Sequence, residues 1–244
     1  MSSHDQASQL MSRRSLLGAC ITAGTACLAG CASDSLEAET TVTQTYDGVD
    51  ASEIMTQVIN GNIEIRDDQR ETVHVEARKK ATSEEKLDHI TLQKKQSNYR
   101  LSLTVDTEDS GFRSLNSPAP RMNLTITVPE GVHLIAESTN GNVGVETTAA
   151  ESVSADTTNG GIRVSLSEPS EVRGDTTNGD VSITLPATAE PAVSFETTNG
   201  EVAINGFEAD TTESDSTTDR MVGDGTHQVT ASTVNGDISI RGED

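Results

Sequence analysis

The chain repeats one alternation of apolar and polar positions six times. Each copy begins with Ile, Leu or Val, reaches Asn-Gly six positions later, and continues with Ile or Val three and five positions after the Asn. The copies begin at Ile54, Leu134, Val153, Val172, Val193 and Val229. Side chains two positions apart on a strand share a face. The pattern therefore predicts a half-buried strand after every Asn-Gly.

The Asn-Gly pairs predict a turn in every copy. They are Asn60-Gly61, Asn140-Gly141, Asn159-Gly160, Asn178-Gly179, Asn199-Gly200 and Asn235-Gly236. Gly adopts the positive φ of a tight turn at no steric cost, and Asn adopts it at little cost. The asparagines are 80, 19, 19, 21 and 36 residues apart, and the first step is close to four units of 20.

Two all-β architectures fit this pattern. In a parallel β-solenoid, Asn-Gly is a corner, and coils of about 20 residues stack about 4.8 Å apart. In a sandwich of tandem β-hairpins, Asn-Gly is a two-residue loop, and the apolar positions again share one face. Similar strings at nearly constant spacing favour the solenoid, because like residues then form ladders of Thr on Thr and Asn on Asn. We expect one such domain over residues 46–244.

The segments outside the repeats also predict strands and loops. Between the first two copies, residues 72–80, 90–96, 99–105 and 122–128 have strand patterns, and residues 83–89 indicate one helical turn. This region would form broader coils or a strand layer that starts the solenoid. Residues 207–226 predict a solvated acidic insertion. Its carboxylates are candidate Ca²⁺ ligands without a known spacing, namely Asp210, Glu213, Asp215, Asp219 and Asp224.

Residues 1–30 have the layout of an export signal. Arg13 and Arg14 lie in SRRSLL, which resembles the twin-arginine signal although Leu16 and Gly18 replace its usual Phe and Lys. The weakly apolar stretch that follows ends at Gly30, and it is shorter than the roughly 20 residues of a spanning helix. We therefore expect export rather than a transmembrane anchor.

The end of this signal resembles a lipobox. Leu28, Ala29, Gly30 and Cys31 spell LAGC, in which Cys31 would become the lipid-bearing first residue of the mature chain. The three cysteines all lie within the first 31 residues, so the mature chain would have no disulfide. Residues 31–45 would then be a linker to an anchor on the outer face of the cytoplasmic membrane.

Charge and composition exclude several kinds of partner. The net charge of -22 excludes an electrostatic nucleic-acid binder. Aromatic residues make up 2% of the chain, which leaves little for stacking on bases or sugars. Carboxylates are dispersed while the five lysines lie between Lys79 and Lys95. This distribution resembles the acidic proteins of extreme halophiles, which stay solvated in concentrated salt.

The order of these features is similar to a family of exported candidate adhesins, which is catalogued as a domain of unknown function. The resemblance rests on the units such as INGNIEI, the strand pairs, the VPEGV at Val128–Val132 and the repeated TTNGDV units. It extends from about Tyr46 to Ile240. It implies a β-solenoid on the cell surface.

Candidate chemistry is sparse. The chain has no G-x-S-x-G, H-E-x-x-H, P-loop or G-x-G-x-x-G string. Its mature histidines, His74, His89, His133 and His227, are isolated in sequence, so we expect no metal, no cofactor and no enzyme. Asn123 lies in an N-x-T sequon and is a candidate glycosylation site, although it falls in a predicted strand.

These observations predict a non-catalytic, lipid-anchored surface protein. Its β-repeat domain would make contacts with an envelope protein, a glycan or another cell. Two other functions remain open from the sequence, namely an accessory protein for signalling envelope stress and a hydrolase or lyase acting on surface polysaccharide. Abundant carboxylates leave the hydrolase open because geometry decides its chemistry.

Overall fold

The structure is a computed structural model that describes residues 22–24, 36, 38–46, 51–97, 99–107, 118–207, 211–212, 217–221 and 225–243. The described residues form twenty strands and one short helix. Along the chain the strands are β1 (Thr22–Gly24), β2 (Ala38–Tyr46), β3 (Glu53–Asn60), β4 (Ile63–Asp68), β5 (Val73–Ala81), β6 (Ile90–Gln96), β7 (Arg100–Thr107), β8 (Arg121–Pro129), β9 (His133–Asn140), β10 (Val143–Thr147), β11 (Ser152–Asn159), β12 (Ile162–Leu166), β13 (Glu171–Asn178), β14 (Val181–Pro186), β15 (Pro191–Asn199), β16 (Val202–Asn205), β17 (Thr211–Thr212), β18 (Thr217–Met221), β19 (His227–Asn235) and β20 (Ile238–Glu243). Helix α1 (Glu84–Asp88) joins β5 to β6. The all-β prediction is confirmed.

The strands form two open sheets that share one core. One sheet has eleven strands in the order β1-β2-β5-β8-β4-β10-β12-β14-β20-β16-β17. The other has nine strands in the order β18-β15-β19-β13-β11-β9-β3-β7-β6. Each repeat contributes its strand before Asn-Gly to the nine-stranded sheet and its strand after Asn-Gly to the eleven-stranded sheet.

Parallel stacking joins the copies, residue on equivalent residue. Asn159 of β11 lies opposite Asn140 on one side and Asn178 on the other. Ile162 of β12 lies between Val143 and Val181 in the same way. The alternative of tandem hairpins is wrong for the repeats, because β11 and β12 pair with the neighbouring copies and not with each other.

The copies do not stack in the order of the sequence. The sixth copy lies between the fourth and the fifth, since β19 pairs with both β13 and β15 and β20 pairs with both β14 and β16. The step of 21 residues between the fourth and fifth copies is two longer than the preceding steps. Two extended residues reach about 6.6 Å, enough to cross one further strand spacing of about 4.8 Å. The vacant position is then filled by the last copy.

The first two copies are direct neighbours despite the 80 residues between their asparagines. β3 pairs with β9, and β4 pairs with β10. The intervening segment lies beyond the first copy, where β8 and β5 extend one sheet and β7 and β6 extend the other. β2, which precedes the first copy in the chain, pairs antiparallel with β5 and extends the same sheet further. The predicted strands and the helical turn in this segment are confirmed. Of the two predicted arrangements, the strand layer beside the first copy is the one observed, and broader coils between the two copies are not.

The insertion after the fifth copy contains strands. β17 pairs antiparallel with β16, and β18 pairs antiparallel with β15. The prediction of a loop throughout residues 207–226 is therefore wrong for these two strands. They cover the outer edges of the last coil, which is how repeat proteins protect their terminal units.

The core is a continuous stack of aliphatic side chains to which every coil contributes. In the third copy, Val153, Ala155, Ile162 and Val164 are each at most 2% exposed. The residues three and five positions after each Asn are buried in all six copies. This burial confirms the strand faces predicted from the alternation, and it leaves the polar residues between them on the outside of the two sheets.

Candidate functional site

The six repeat asparagines form one continuous row of amide hydrogen bonds. The Nδ2 of each Asn but the last donates to the Oδ1 of the next at 2.9 or 3.0 Å, in the order Asn199, Asn235, Asn178, Asn159, Asn140 and Asn60. Positive φ among the described residues occurs only at Gly. The expectation that Asn adopts a positive φ is therefore wrong, and the Asn side chains instead connect one coil to the next.

Other polar groups beside the Asn-Gly pairs are also bonded between coils. In every copy except the first, a Ser or Thr two positions before the Asn donates to the Gly carbonyl of a neighbouring coil, as Thr176 Oγ1 does to Gly160 at 2.9 Å. Asn62 and Asn142 accept a backbone N–H from the next coil through their Oδ1 atoms. These side chains hold the stack together, so the Asn-Gly positions serve the fold.

Asn123 ends the second of these side-chain rows. Its Oδ1 accepts the backbone N–H of Asn62 at 2.9 Å, and its side chain is half-buried in β8. Glycosylation there stays a prediction.

The predicted export and lipidation residues lie outside the described part of the chain. They are Arg13, Arg14, Leu28, Ala29, Gly30 and Cys31. Three residues within the same predicted signal form β1, which pairs antiparallel with Thr41–Thr43 of β2. No helix in the described ranges is long and apolar enough to cross a membrane.

A groove crosses the outer face of the nine-stranded sheet. It has a volume of about 840 Å³ and runs over β13, β11, β9 and β3 to β7 and β6. One row of its lining lies three positions before each Asn and consists of Gln57, Glu137, Asp156 and Asp175, which are in register. Asp106 adds a fourth carboxylate from β7. The groove therefore presents several negative charges and a row of hydroxyls from Thr139, Thr158 and Thr177.

The carboxylates of this acidic groove differ in their partners. Glu137 accepts a hydrogen bond from Gln57 at 2.7 Å, and Asp106 accepts one from Gln93 at 2.8 Å. Asp175 pairs with Arg173 at 2.6 Å. Among the described residues, Asp156 accepts only a long hydrogen bond of 3.4 Å, from Ser154. Desolvation by burial raises the pKa of Asp156, and the adjacent carboxylates of Asp175 and Glu137 raise it further against the opposing effect of Arg173.

Replacing Asp156 with Asn is expected to stabilise the protein at pH 7 by about 0.5 kcal/mol, a small value because solvent screens a half-exposed group. The raised pKa means that the favourable contribution of protonated Asp156 is complete below its unfolded value of 3.8 and is lost as pH rises through the folded value. Urea unfolding in low salt should show a gain at pH 7 that shrinks towards pH 3. A gain independent of pH would contradict this electrostatic origin. Asp175→Asn is the control, because it removes the ion pair with Arg173.

The acidic row was readable from the sequence but was not singled out. Acids recur three positions before Asn in the second to fifth copies, namely Glu137, Asp156, Asp175 and Glu196. Over the whole chain the carboxylates are dispersed, which conceals this regularity. Their fixed position within the repeat is the signal that would have placed them in one row.

The histidines and lysines do not gather into a second site. His74 contacts Thr45 at 3.0 Å, His133 contacts Ser152 at 2.8 Å, and both lie on different elements from His227. Among the described residues, no three His, Cys, Asp or Glu side chains are arranged to hold a metal ion.

Several lysines of the segment 79–95 contact neighbouring side chains. Lys80 pairs with Glu39 at 3.0 Å, and Lys94 lies 4.4 Å from the ring centre of Tyr46. Lys86 donates to Thr82 at 3.0 Å. Burial lowers the pKa of Lys79, although Asp88 opposes this shift. The lysines therefore support local packing in and beside the flanking layer.

Comparisons with solved structures give matches at low sequence identity. A protein from Clostridium sporogenes, provisionally described as a cell adhesion protein, has a TM-score of 0.56 and 14% identity, and the match covers 84% of this chain and 100% of that chain. A provisionally described adhesin from Bacteroides fragilis has a TM-score of 0.39 and 11% identity, covering 82% of this chain and 96% of that one. A search of curated proteins gives no significant match.

A family model matches most of the repeat domain. The Toastrack DUF4097 model matches residues 51–167 and again residues 135–241, so that both halves of the stack fit the same description. These ranges include all six repeats and the flanking strands β5 to β8. The chain belongs to the Toastrack DUF4097 family.

Proposed function

We propose that this protein is an exported, lipid-anchored, non-catalytic binding protein of the cell envelope. The acidic groove is the observation that carries this proposal. Stacked coils hold its carboxylates and hydroxyls in straight rows on the outside of a sheet, and the interlocked Asn rows fix their spacing. Such a surface suits an extended ligand or a protein segment, and an anionic groove favours a partner with positive charge.

The fold is consistent with a role at the cell surface. The Clostridium sporogenes protein that shares it is provisionally described as a cell adhesion protein. The predicted export signal and lipobox would place this chain on the outer face of the cytoplasmic membrane. A lipidated Cys31 would leave six residues before β2 begins at Ala38, and a chain of that length spans at most about 25 Å. The groove would then lie close to the membrane surface.

Removing the attachment site of the lipid should change the location of the protein. Cys31→Ser should release the mature protein into the medium, because the acyl chains that hold it to the bilayer would have no attachment site. Cell fractionation with immunoblotting measures the distribution. Cys27→Ser is the matched control, since Cys27 lies before the expected cleavage site and its loss should leave the protein on membranes. A Cys31→Ser protein that stays membrane-bound would refute the anchor.

Binding by the groove is tested with the released Cys31→Ser protein. We expect an envelope extract to contain a saturable partner whose binding falls when Glu137→Gln and Asp156→Asn are combined. The control pair Glu168→Gln and Glu171→Gln removes the same charge from exposed positions outside the groove lining. Binding should also weaken as salt screens the carboxylates. Equal binding by both pairs of variants would exclude the groove as the contact surface.

One observation favours a second candidate, a glycoside hydrolase. Asp156 has a raised pKa and lies between two other carboxylates on parallel strands about 4.8 Å apart. Retaining glycosidases hold their two carboxyl groups about 5–5.5 Å apart and need one with a raised pKa. Release of reducing sugars from envelope polysaccharide, abolished by Asp156→Asn, would establish this activity in place of simple binding.

A further inference from the structure

The repeat architecture depends on a chemically reactive dipeptide. Seven Asn-Gly pairs occur in the chain, six in the repeats and one at Asn205-Gly206 after β16. In a flexible chain, the nitrogen of the following residue attacks the Asn side-chain carbonyl, and Gly hinders this attack least because it has no Cβ. Asn is for this reason among the thermolabile residues. An exported protein that keeps seven such pairs needs a means of protecting them.

Five of the six repeat pairs are protected by the stacking itself. The backbone N–H of each Gly donates to the carbonyl of the Asn in the neighbouring coil, as Gly160 does to Asn178 at 2.9 Å. The equivalent bonds start at Gly61, Gly141, Gly179 and Gly236. The attacking nitrogen would have to lose this bond and its proton before turning towards its own side chain. These pairs can therefore react only after local opening of the stack.

Asn199-Gly200 lacks this protection. The fifth copy is the last repeat of the stack, so the Asn199 carbonyl accepts from Gly236 at 3.0 Å, while no further repeat among the described residues lies on the other side of Gly200. Among the described residues, no carbonyl accepts the Gly200 N–H. β17 covers only Ala203 and Ile204 of this coil, and both Asn199 and Gly200 are exposed. Within the part of the chain that the structure describes, the Gly200 nitrogen makes no bond equivalent to that of its five counterparts.

We propose that Asn199 is a site of spontaneous deamidation in the folded protein. The Gly200 nitrogen gives up its proton to hydroxide and forms a bond to Asn199 Cγ, and the Cγ–Nδ2 bond breaks to release ammonia. The resulting succinimide is opened by water at either carbonyl. Opening at Cγ gives aspartate, and opening at the backbone carbonyl gives isoaspartate. The net change is the addition of water and the loss of ammonia, with no change of oxidation state.

The product changes the contact between the last coil and the sixth copy. Asn199 Nδ2 donates to Asn235 Oδ1 at 2.9 Å, and a carboxylate has no hydrogen to donate there. Two oxygens would then face each other at the end of the row. The modification therefore removes the donor to Asn235 at the end of the row, while the four bonds among the remaining five asparagines keep their donors and acceptors.

The test compares each site with itself in the folded and unfolded chain. The full mature protein is incubated at pH 8 in buffer and in concentrated urea, and a protease that cuts after Glu separates Asn199 from Asn205 through the cuts at Glu196 and Glu201. Mass spectrometry then measures aspartate and isoaspartate at every Asn-Gly. We expect folding to slow the reaction at Asn159 and Asn178 by at least about tenfold more than at Asn199, because the interior sites need local opening.

Amide hydrogen exchange provides a second readout that involves no covalent change. Gly200 should exchange at nearly the rate of an unfolded chain, while Gly160 and Gly179 should be strongly protected. The proposal would be overturned if folding slowed deamidation at Asn199 as much as at Asn159, or if the interior sites deamidated as fast as Asn199 in the folded protein. Slow exchange at Gly200 would overturn its structural basis.

Discussion

Replacing Gly179 with Ala is expected to destabilise the protein by about 3 kcal/mol or more, since it combines an unfavourable φ with a clash between backbones. Gly179 has a φ of +153°, and a Cβ there would lie 2.1 Å from the carbonyl oxygen of Gly160 in the neighbouring coil. That oxygen belongs to the backbone of the stack and accepts a hydrogen bond from Thr176. It cannot move without separating the two coils.

Gly131→Ala is the matched control for this substitution. Gly131 also has a positive φ, of +72°, but a Cβ there would have nothing within 4 Å. Its cost should be about 1–2 kcal/mol, the price of the left-handed conformation alone. Urea unfolding followed by circular dichroism measures both variants. Equal losses at the two positions would show that close stacking does not require Gly179.

The strand faces could be predicted from the sequence because they depend on local periodicity. Ile162 and Val164 alternate with polar residues, and burying one face of a strand needs no information about its neighbours. Both are at most 2% exposed, as the pattern predicts. The strand Ile90–Gln96 in the flanking segment was predicted with the same bounds for the same reason.

The order of the coils could not be predicted from the repeats themselves. Equivalent residues such as Thr157 and Thr176 make the same contacts in every interior copy, so any copy is a suitable neighbour for any other. The connections decide between these arrangements. A step of 21 rather than 19 residues leads the chain past one position, and the 36-residue step returns it there. Only the difference in length, which is easily taken for loop variation, carried this information.

The candidate site was missed because it combines a repeated position with a distant strand. Glu137, Asp156 and Asp175 occupy one position of the repeat, which the sequence contains. Asp106 and Gln93 come from the antiparallel pair β6 and β7, whose place beside the first copy follows from the tertiary fold. Stacking of the copies predicted the rows of Asn. The sequence also predicted that Asn would contribute a positive φ to the turn, whereas in the structure its side chain connects one coil to the next.

Removing the last repeat is expected to damage the fold far more than removing a central one. In a linear repeat array, a terminal unit touches one neighbour and is the easiest to lose. Here the sixth copy touches two, because β19 lies between β13 and β15 and β20 lies between β14 and β16. Deleting residues 226–244 would leave the fourth and fifth copies about 9.6 Å apart, with a row of backbone groups unpaired on both sides.

The free energy lost with this apolar burial is comparable to the free energy of unfolding of a whole domain. Val229, Ile238 and Ile240 are at most 1% exposed. Each contributes about 1.5–3 kcal/mol by burial, against a total stability of about 5–15 kcal/mol. The opening would also uncover the facing side chains of the fourth and fifth copies. We therefore expect the deleted protein to lose its cooperative thermal transition and to be cut rapidly by protease.

Deletion of residues 152–170 is the matched control, since it also removes one repeat of 19 residues. Ser152 is in register with both His133 and Glu171, so joining Glu151 to Glu171 places β13 where β11 lay, against the same partner. The Asn row would close in the same way, from Asn178 to Asn140. This shortened protein should keep one cooperative transition at a lower Tm when circular dichroism is followed in molar salt. If the two shortened proteins have the same thermal transition, the sixth copy does not lie between the fourth and the fifth. If only the protein without residues 226–244 loses the transition, the last repeat of the sequence occupies an interior position of the stack.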